Sequence, residues 1–264
     1  MAKGARATGL RTLITNDDGV GSLGICVLAA TGRDFGLDIV VAAPSWDSSG
    51  SSASLAAVQE NGRFLMSPRT VEGLDGVKVL AVEAAPAFIV QAAFTGAFGP
   101  PPRLVLSGIN HGANIGRAIL HSGTVGAALT AATYGSPALA ASTAAPAAHW
   151  ETAQEVVRTL LPTLVEAAQE RRNLVLNANI PDRPLTDLRG LCRAHLADFG
   201  AVQANITEMG KGPLNLQYTA DERQDRGDSD ATLLSLGFAT VTPLLSICEA
   251  SGQELSLPAM PDGR

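Results

Sequence analysis

The sequence predicts a doubly wound α/β fold, in which a mostly parallel sheet is covered by helices on both faces. Short apolar runs alternate with longer stretches of helical periodicity. The runs are continuously apolar, as strands buried on both faces of a parallel sheet require. A chain of 264 residues that is 46% hydrophobic and 17% charged can bury a core of this size.

Each predicted element corresponds to one such run or one such stretch. The strands are expected, in order, at TLITN (12–16), LDIVVAAP (37–44), VKVLAVE (77–83), RLVLSGIN (103–110), PALAAST (137–143) and NLVLNANIP (173–181). The helices are expected at 22–34, 86–98, 122–134 and 150–171. Beyond about residue 183 the pattern becomes irregular. We therefore predict one domain over 1–264, with a core at about 10–182 and a C-terminal extension at about 183–264.

Charge, apolar runs and cysteine positions argue against several classes of function. A net charge of -6 argues against a nucleic-acid polymer as partner, because such surfaces cluster Lys and Arg. No apolar run is long enough to span a bilayer, and the N-terminal stretch lacks the apolar region of a signal peptide. Cys26, Cys192 and Cys248 are scattered, which fits a reducing cytosol better than a disulfide framework. A cytoplasmic protein without a membrane partner is expected.

Three polar loops follow predicted strands: NDDGVGS, APSWDSSGSSAS and SGINHGANIGRAILHSGT. Ligands of open α/β sheets bind outside the carboxyl ends of the strands, so these loops are expected to form one site.

The first loop, TNDDGVGSLG, allows more than one interpretation. Gly19, Gly21 and Gly24 match the Gly-x-Gly-x-x-Gly pattern of dinucleotide sites, whereas Asp17 and Asp18 indicate a metal ion. The second predicted strand ends without the acidic residue that would hold a ribose, and two carboxylates would repel a pyrophosphate. A plain surface turn is the remaining alternative for Asp-Asp-Gly. We favour the metal interpretation.

Four motifs in sequence order resemble those of the SurE family. They are TNDDG, SSGSSASL (48–55), SGINHGANIG (107–116) and HSGTVGAALTAATYGSPALA (121–140). The similarity continues through LNANIPD, Ser229-Asp230 and GFATVTPL, so it covers nearly the whole chain. Members of this family are metal-dependent 5'/3'-nucleotidases, also described as acid phosphatases. The resemblance implies hydrolysis of nucleoside monophosphates, and subunits associated as a homodimer or homotetramer through C-terminal segments.

The resemblance also implies a set of site residues. Carried over to this chain, the metal ligands are Asp17, Asp18, Ser49 and Asn110. This all-oxygen set suits one divalent ion per subunit, Mg²⁺ or Mn²⁺. The residues around the phosphate are Gly50, Ser52, Asn114, Ser122, Gly123 and Thr124. Ser122 and Thr124 open a helix, so they could instead be ordinary helix caps, and the two roles are compatible.

The catalytic carboxylates are expected to be Asp17 and Asp18. We assign Asp18 to orienting or deprotonating the attacking water and Asp17 mainly to the metal. The two roles could be exchanged, or both carboxylates could be plain ligands. His111 and His121 stand where histidine is not expected in the family. Either could protonate the leaving alkoxide, although a local hydrogen bond is the simpler interpretation.

Other departures from the family concern the rim of the site. Ala85, Phe88 and Arg117 replace groups that are polar or acidic in many members. The rim is therefore predicted to be more apolar and to carry an added cation, unless Phe88 simply fills the core. Two alternatives to a nucleotidase stay open: a phosphatase acting on a nucleotide-like intermediate of specialised metabolism, and a catalytically silent nucleotide-binding paralogue.

Overall fold

A computed structural model describes residues 9–198, 203–206, 216–219 and 226–249. The described residues form thirteen strands: β1 (Arg11–Thr15), β2 (Asp38–Pro44), β3 (Gln59–Glu60), β4 (Arg63–Phe64), β5 (Met66–Arg69), β6 (Lys78–Val82), β7 (Leu104–His111), β8 (Ala138–Thr143), β9 (Val175–Ile180), β10 (Leu191–Arg193), β11 (Gln203–Ile206), β12 (Leu216–Thr219) and β13 (Ala239–Leu244).

The helices surround a single large sheet. They are α1 (Leu23–Asp34), α2 (Pro86–Phe94), α3 (Gly123–Thr133), α4 (Trp150–Gln169) and α5 (Asp230–Ser235), and a 3₁₀ helix at Gly116–His121 precedes α3. All six predicted strands and all four predicted helices occur within a few residues of their expected bounds. The predicted α/β class is confirmed.

The strands that follow β1 in the chain lie first on one side of it and then on the other. Its nine strands lie in the order β10-β13-β9-β8-β7-β1-β2-β6-β5. The six from β9 to β6 are parallel, and Ile14 of β1 lies opposite Val41 of β2 on one side and Leu106 of β7 on the other. The chain therefore builds outward from β1 through β2, then returns to its other side at β7. The carboxyl ends of the neighbouring strands β1 and β7 mark the topological switch point, where such folds bind ligands.

Two apolar layers cover the faces of this sheet. On one face, α1 and α4 bury residues such as Leu28 and Leu161 against Ile14 and Leu106. On the other face, α2 and α3 bury Ile89 and other apolar residues against Leu13 and Val105. Neighbouring residues of one strand thus point to opposite layers, which explains why the central strands are apolar without interruption.

The segment after residue 183 also contributes to the sheet. β13 pairs with β9 in antiparallel orientation, and β10 extends the edge in parallel with β13. Of the strands that were not predicted (β3–β5 and β10–β13), all but β13 have two to four residues, and β5 and β13 pair with the parallel strands in antiparallel orientation. Such strands lack the continuous apolar run that made the parallel ones recognisable. The predicted C-terminal extension therefore contributes two strands, β10 and β13, to the sheet formed by the predicted core of about 10–182. A role of the extension in oligomerisation stays a prediction.

Within the described part of the chain, no helix is both long enough and apolar enough to cross a lipid bilayer.

Candidate metal and phosphate site

The first loop of the site is a rigid turn at the end of β1. The buried side chain of Asn16 donates to the carbonyl oxygen of Gly19, at 2.9 Å, and to the hydroxyl of Ser22, at 2.8 Å. Ser22 in turn caps α1 by accepting from the backbone N–H of Ile25. The turn and the helix start are thus tied together, which holds the intervening carboxylates of Asp17 and Asp18 in place.

Two of the three glycines of this loop have structural roles that involve no dinucleotide. Gly19 adopts a φ of +93°, which favours glycine, and a side chain there would press against the carbonyl oxygen of Trp46. A Cβ at Gly24 would overlap the carbonyl oxygen of Ile109, so this glycine lets α1 approach β7 closely. A Cβ at Gly21 would meet open space. The Gly-x-Gly-x-x-Gly match therefore reflects one tight turn and one helix-to-strand contact.

Asp17 lies at the N-terminus of α3 and is only 3% exposed. Its carboxylate accepts from the backbone N–H of Thr124, at 3.1 Å, and from the hydroxyl of Thr124, at 2.5 Å. A Cβ at Gly123 would come within 2.8 Å of that carboxylate, so a glycine is needed there for the close approach. Ser122 caps the same helix by accepting from the N–H of Val125, at 3.1 Å. The segment predicted to bind phosphate thus also anchors a carboxylate.

The two carboxylates have different environments. Burial raises the pKa of Asp17, while the hydrogen bonds from Thr124 oppose this rise. Burial also raises the pKa of Asp18, to about 6, and the neighbouring charge of Asp17 adds to the effect. The backbone N–H of His111 donates to the Asp18 carboxylate at 3.2 Å, which links this residue to the third loop. Asp18 is half-buried, whereas Asp17 is buried.

The second loop is fastened to the first through Ser48. Its backbone N–H and its hydroxyl both donate to the carbonyl oxygen of Asp17, at 2.7 and 3.2 Å. The next residue, Ser49, is exposed and donates from its N–H and its hydroxyl to the carboxylate of Asp47, at 2.9 and 2.6 Å. The hydroxyl oxygen of Ser49 thereby keeps its lone pairs for another partner. These hydrogen bonds lower the pKa of Asp47. Asp47 was not predicted from the sequence, although Asp-x-Ser is a common local turn pattern.

The third loop begins with Asn110 at the end of β7. Its amide nitrogen donates to the carbonyl oxygen of Gly112, at 2.6 Å, which leaves the amide oxygen as the group available to a ligand.

Asn114 is the centre of a network that braces this loop. Its N–H donates to the side chain of Asn179, its amide nitrogen donates to the hydroxyl of Ser142, and its carbonyl oxygen accepts from both Asn177 and Asn179. The carboxylate of Asp230 accepts from the N–H of Gly116 at 3.0 Å. The later motifs LNANIPD and Ser-Asp therefore position the third loop from β9 and from the start of α5.

The three loops enclose a cavity of about 240 Å³. Its lining residues are Asp17, Ser49, Gly50, Asn110, His111, Asn114, Ala118, His121 and Ser122. Six of the predicted site residues thus share one cavity, and Asp18 is bonded to its wall at His111. Gly123 and Thr124 lie behind Asp17. Ser52 faces elsewhere, because its hydroxyl donates to the carbonyl oxygen of Leu120, and it lines a separate apolar cavity.

The predicted rim residues are only partly at the site. The ring of Phe88 packs edge-to-face against Phe64, 5.4 Å between centroids, and lies against the apolar layer under α2. The interpretation of Phe88 as a rim residue is therefore wrong, because Phe88 is partly buried and packs against the apolar layer under α2. Arg117 is exposed and pairs with Asp198 at 3.1 Å. Ala85 does line a second cavity, of about 540 Å³, which shares Ser49 and Gly50 with the first and is bordered by Trp46.

The donors around the first cavity suit a hard divalent ion. Two carboxylates, a hydroxyl and an amide carbonyl are all oxygen ligands. Within the described residues, no Lys or Arg pairs with Asp17 or Asp18, and no cluster of three or more His, Cys, Asp or Glu is present. Each carboxylate oxygen of Asp17 accepts one hydrogen bond and keeps a further lone pair. Burial and the charge of Asp17 raise the pKa of Asp18, and an ion at this position would offset both effects.

Fold and site together describe an α/β protein with an acid-lined polar cavity at the switch point of a doubly wound sheet. A family model described as survival protein SurE matches residues 12–201. The chain belongs to the SurE family.

Similar proteins cover almost the whole chain. It is 34% identical to 5'-nucleotidase SurE 1 of Burkholderia lata, over 89% of this chain and 90% of that one. It is 35% identical to 5'/3'-nucleotidase SurE of Edwardsiella ictaluri, over 89% of each chain. Among solved structures, the SurE protein from Aquifex aeolicus aligns with a TM-score of 0.70 and 26% identity, covering 89% of this chain and 93% of that one.

Proposed function

We propose that the protein is a metal-dependent phosphomonoesterase that hydrolyses nucleoside monophosphates to nucleosides and phosphate. The observation that carries this proposal is the pair of carboxylates, Asp17 and Asp18, held at the switch point without a paired Lys or Arg among the described residues. Relatives named as 5'- and 5'/3'-nucleotidases support it.

One divalent ion per subunit, Mg²⁺ or Mn²⁺, would be held by Asp17, Asp18, Ser49 and Asn110. When bound, such an ion polarises a phosphoryl oxygen and lowers the pKa of a coordinated water.

The side chains and backbone of the site are assigned to proton transfer, to phosphate contact and to holding Asp17. Asp18, which is half-buried and bonded only through the backbone N–H of His111, is the carboxylate we assign to accepting a proton from the attacking water. Gly50, Asn114 and Ser122 line the cavity. We assign them to contacts with the phosphate. We assign Thr124 to holding Asp17, because both of its donors are bonded to that carboxylate.

The second cavity is suited to the leaving group. It adjoins the first at Ser49 and Gly50, and the half-exposed indole of Trp46 offers a flat face on which a base could stack. Any phosphomonoester with a flat leaving group could use this surface. A phosphatase acting on a nucleotide-like intermediate is therefore the second candidate function.

Phosphate release from a panel of nucleoside 5'- and 3'-monophosphates, sugar phosphates and p-nitrophenyl phosphate tests these proposals. Activity should vanish in chelator and return with Mg²⁺ or Mn²⁺. Asp17→Asn should stay inactive after Mg²⁺ or Mn²⁺ is added. Asp75→Asn, which changes an exposed carboxylate distant in sequence from the site motifs, should regain activity. Full turnover in excess chelator by protein that contains no metal would refute metal dependence. A strong preference for substrates outside the nucleotides would favour the second candidate.

A further inference from the structure

Two histidines line the cavity of the proposed site, but their rings are held differently. The Nε2 atom of His111 lies 3.0 Å from the carbonyl oxygen of Pro146, in the loop after β8. A carbonyl oxygen can only accept, so Nε2 carries the proton of this bond. The His111 ring is therefore tied to the neighbouring loop, and its backbone N–H is bonded to Asp18.

The ring of His121 has no such anchor. Among the described residues it makes no hydrogen bond and no ion pair, although it lines the cavity together with Asp17, Asn110 and Ser122. Its main chain is nevertheless fixed. The carbonyl oxygen of His121 accepts from the backbone N–H of Ser52, at 3.2 Å, and the next residue caps α3. A fixed backbone at the cavity wall, with an exposed ring that no hydrogen bond holds, is an arrangement that fits a group acting on the substrate.

The proposed reaction needs a proton donor. Hydrolysis of a nucleoside monophosphate expels an alkoxide, which is a poor leaving group unless it is protonated as the bond breaks. Asp17 and Asp18 are carboxylates assigned to the metal and the water, and the other titratable side chain lining the cavity is the anchored His111. Arg117, on the same 3₁₀ helix as His121, is paired with Asp198.

We propose that His121 is the general acid of this site, an inference that rests on the proposed phosphomonoesterase function. The imidazolium gives its proton to the ester oxygen as the P–O bond to the leaving group breaks. The oxygen of water forms the new P–O bond, and the proton lost by that water goes to Asp18. The products are the free alcohol and phosphate, and both side chains then return to their starting states by proton exchange with solvent.

The test is the dependence of rate on the leaving group. The enzyme loaded with Mg²⁺ or Mn²⁺ is assayed with p-nitrophenyl phosphate, phenyl phosphate and a nucleoside 5'-monophosphate, as wild type, His121→Gln and His111→Gln. For His121→Gln, kcat/KM should fall only about threefold with p-nitrophenyl phosphate, whose anion needs no proton. It should fall on the order of a hundredfold with the nucleotide. For His111→Gln, any loss should be the same for all three substrates.

A uniform loss across the series in His121→Gln would overturn the proposal while leaving the phosphomonoesterase function intact. No phosphate release by the wild type from any substrate would overturn both. A second measurement guards against a folding defect: turnover of the nucleotide by His121→Ala should increase when imidazole is added, and turnover of p-nitrophenyl phosphate should not. Absence of this selective rescue in a variant with wild-type unfolding temperature would also overturn the proposal.

Discussion

Adjacent carboxylates in this protein differ because their surroundings differ. Asp17 is buried and bonded by two donors of Thr124, while Asp18 is half-buried and bonded by one backbone N–H. A residue that is already held by fixed donors is suited to be a ligand. A half-buried residue with a single fixed donor keeps more of its oxygen lone pairs available, which suits a part in proton transfer.

The first prediction follows from this difference. Asp18→Asn should keep the fold, because the two side chains are nearly isosteric, and should lower turnover at least about a hundredfold. The measurement is kcat together with the metal content of the purified variant. A wild-type rate with metal still bound would show that Asp18 has no role in proton transfer. Loss of metal together with activity would leave it a ligand only.

The raised pKa of Asp18 also predicts how stability depends on pH. A carboxyl group with a higher pKa in the folded state than the ordinary value of 3.8 is bound to its proton more tightly when folded. Its favourable contribution is therefore present below about pH 4 and is lost as the pH rises through about 6. In chelator, the unfolding temperature of the wild type relative to Asp18→Asn should decrease between these limits. A difference that stays constant with pH would contradict the raised pKa.

At the scale of elements, the site depends on the close approach of helix starts to strand ends. α1 approaches β7 at Gly24, and α3 approaches the turn after β1 at Gly123. Both approaches leave no room for a Cβ. These contacts bring the three polar loops within reach of one another, which their separate positions along the sequence do not ensure.

Gly24 and Gly21 provide a matched pair of positions at which the need for a close approach of α1 to β7 can be tested. Gly24→Ala should decrease the free energy of unfolding by about 1–3 kcal/mol, because the added methyl group overlaps the carbonyl oxygen of Ile109. Gly21→Ala should change it by less than about 0.5 kcal/mol, because nothing lies within 4 Å of the new Cβ. Urea denaturation of the metal-free proteins measures both. Equal effects would mean that the packing of α1 against β7 does not require Gly24.

For the whole molecule, the described surface includes an apolar region beside the site. Leu120 is 69% exposed, and Leu245 and Ile247, which follow β13, are 82% and 95% exposed. Together with Ile119 and Leu129 they border the apolar cavity that Ser52 also lines. Large exposed apolar side chains in one place are typical of surfaces that become covered in an assembly.

We therefore predict that the protein is a homodimer or homotetramer in solution, as its family resemblance implied. Static light scattering during gel filtration should give two or four times the 27.1 kDa mass of one chain. Ile247→Asp should shift the population towards smaller species, and Met66→Asp, at an exposed position on the edge strand β5, is the control. A monomer at micromolar concentration would show that this apolar surface has another role.

The sequence by itself determined the order of the main strands and helices and the family, because continuous apolar runs and loop motifs are local features. It also determined the donor types of the candidate site, from Asp17 to Asn110. It did not predict the antiparallel strands β5 and β13, whose place depends on edges created only when the parallel strands have assembled.

Only the tertiary structure decided what each polar group contacts. It bonded Thr124 to Asp17 and His111 to Pro146, and it left the ring of His121 without a hydrogen bond within the described residues. The physical reason is that a residue type specifies which bonds are possible. The partner that satisfies them is set by distances between segments far apart in the chain.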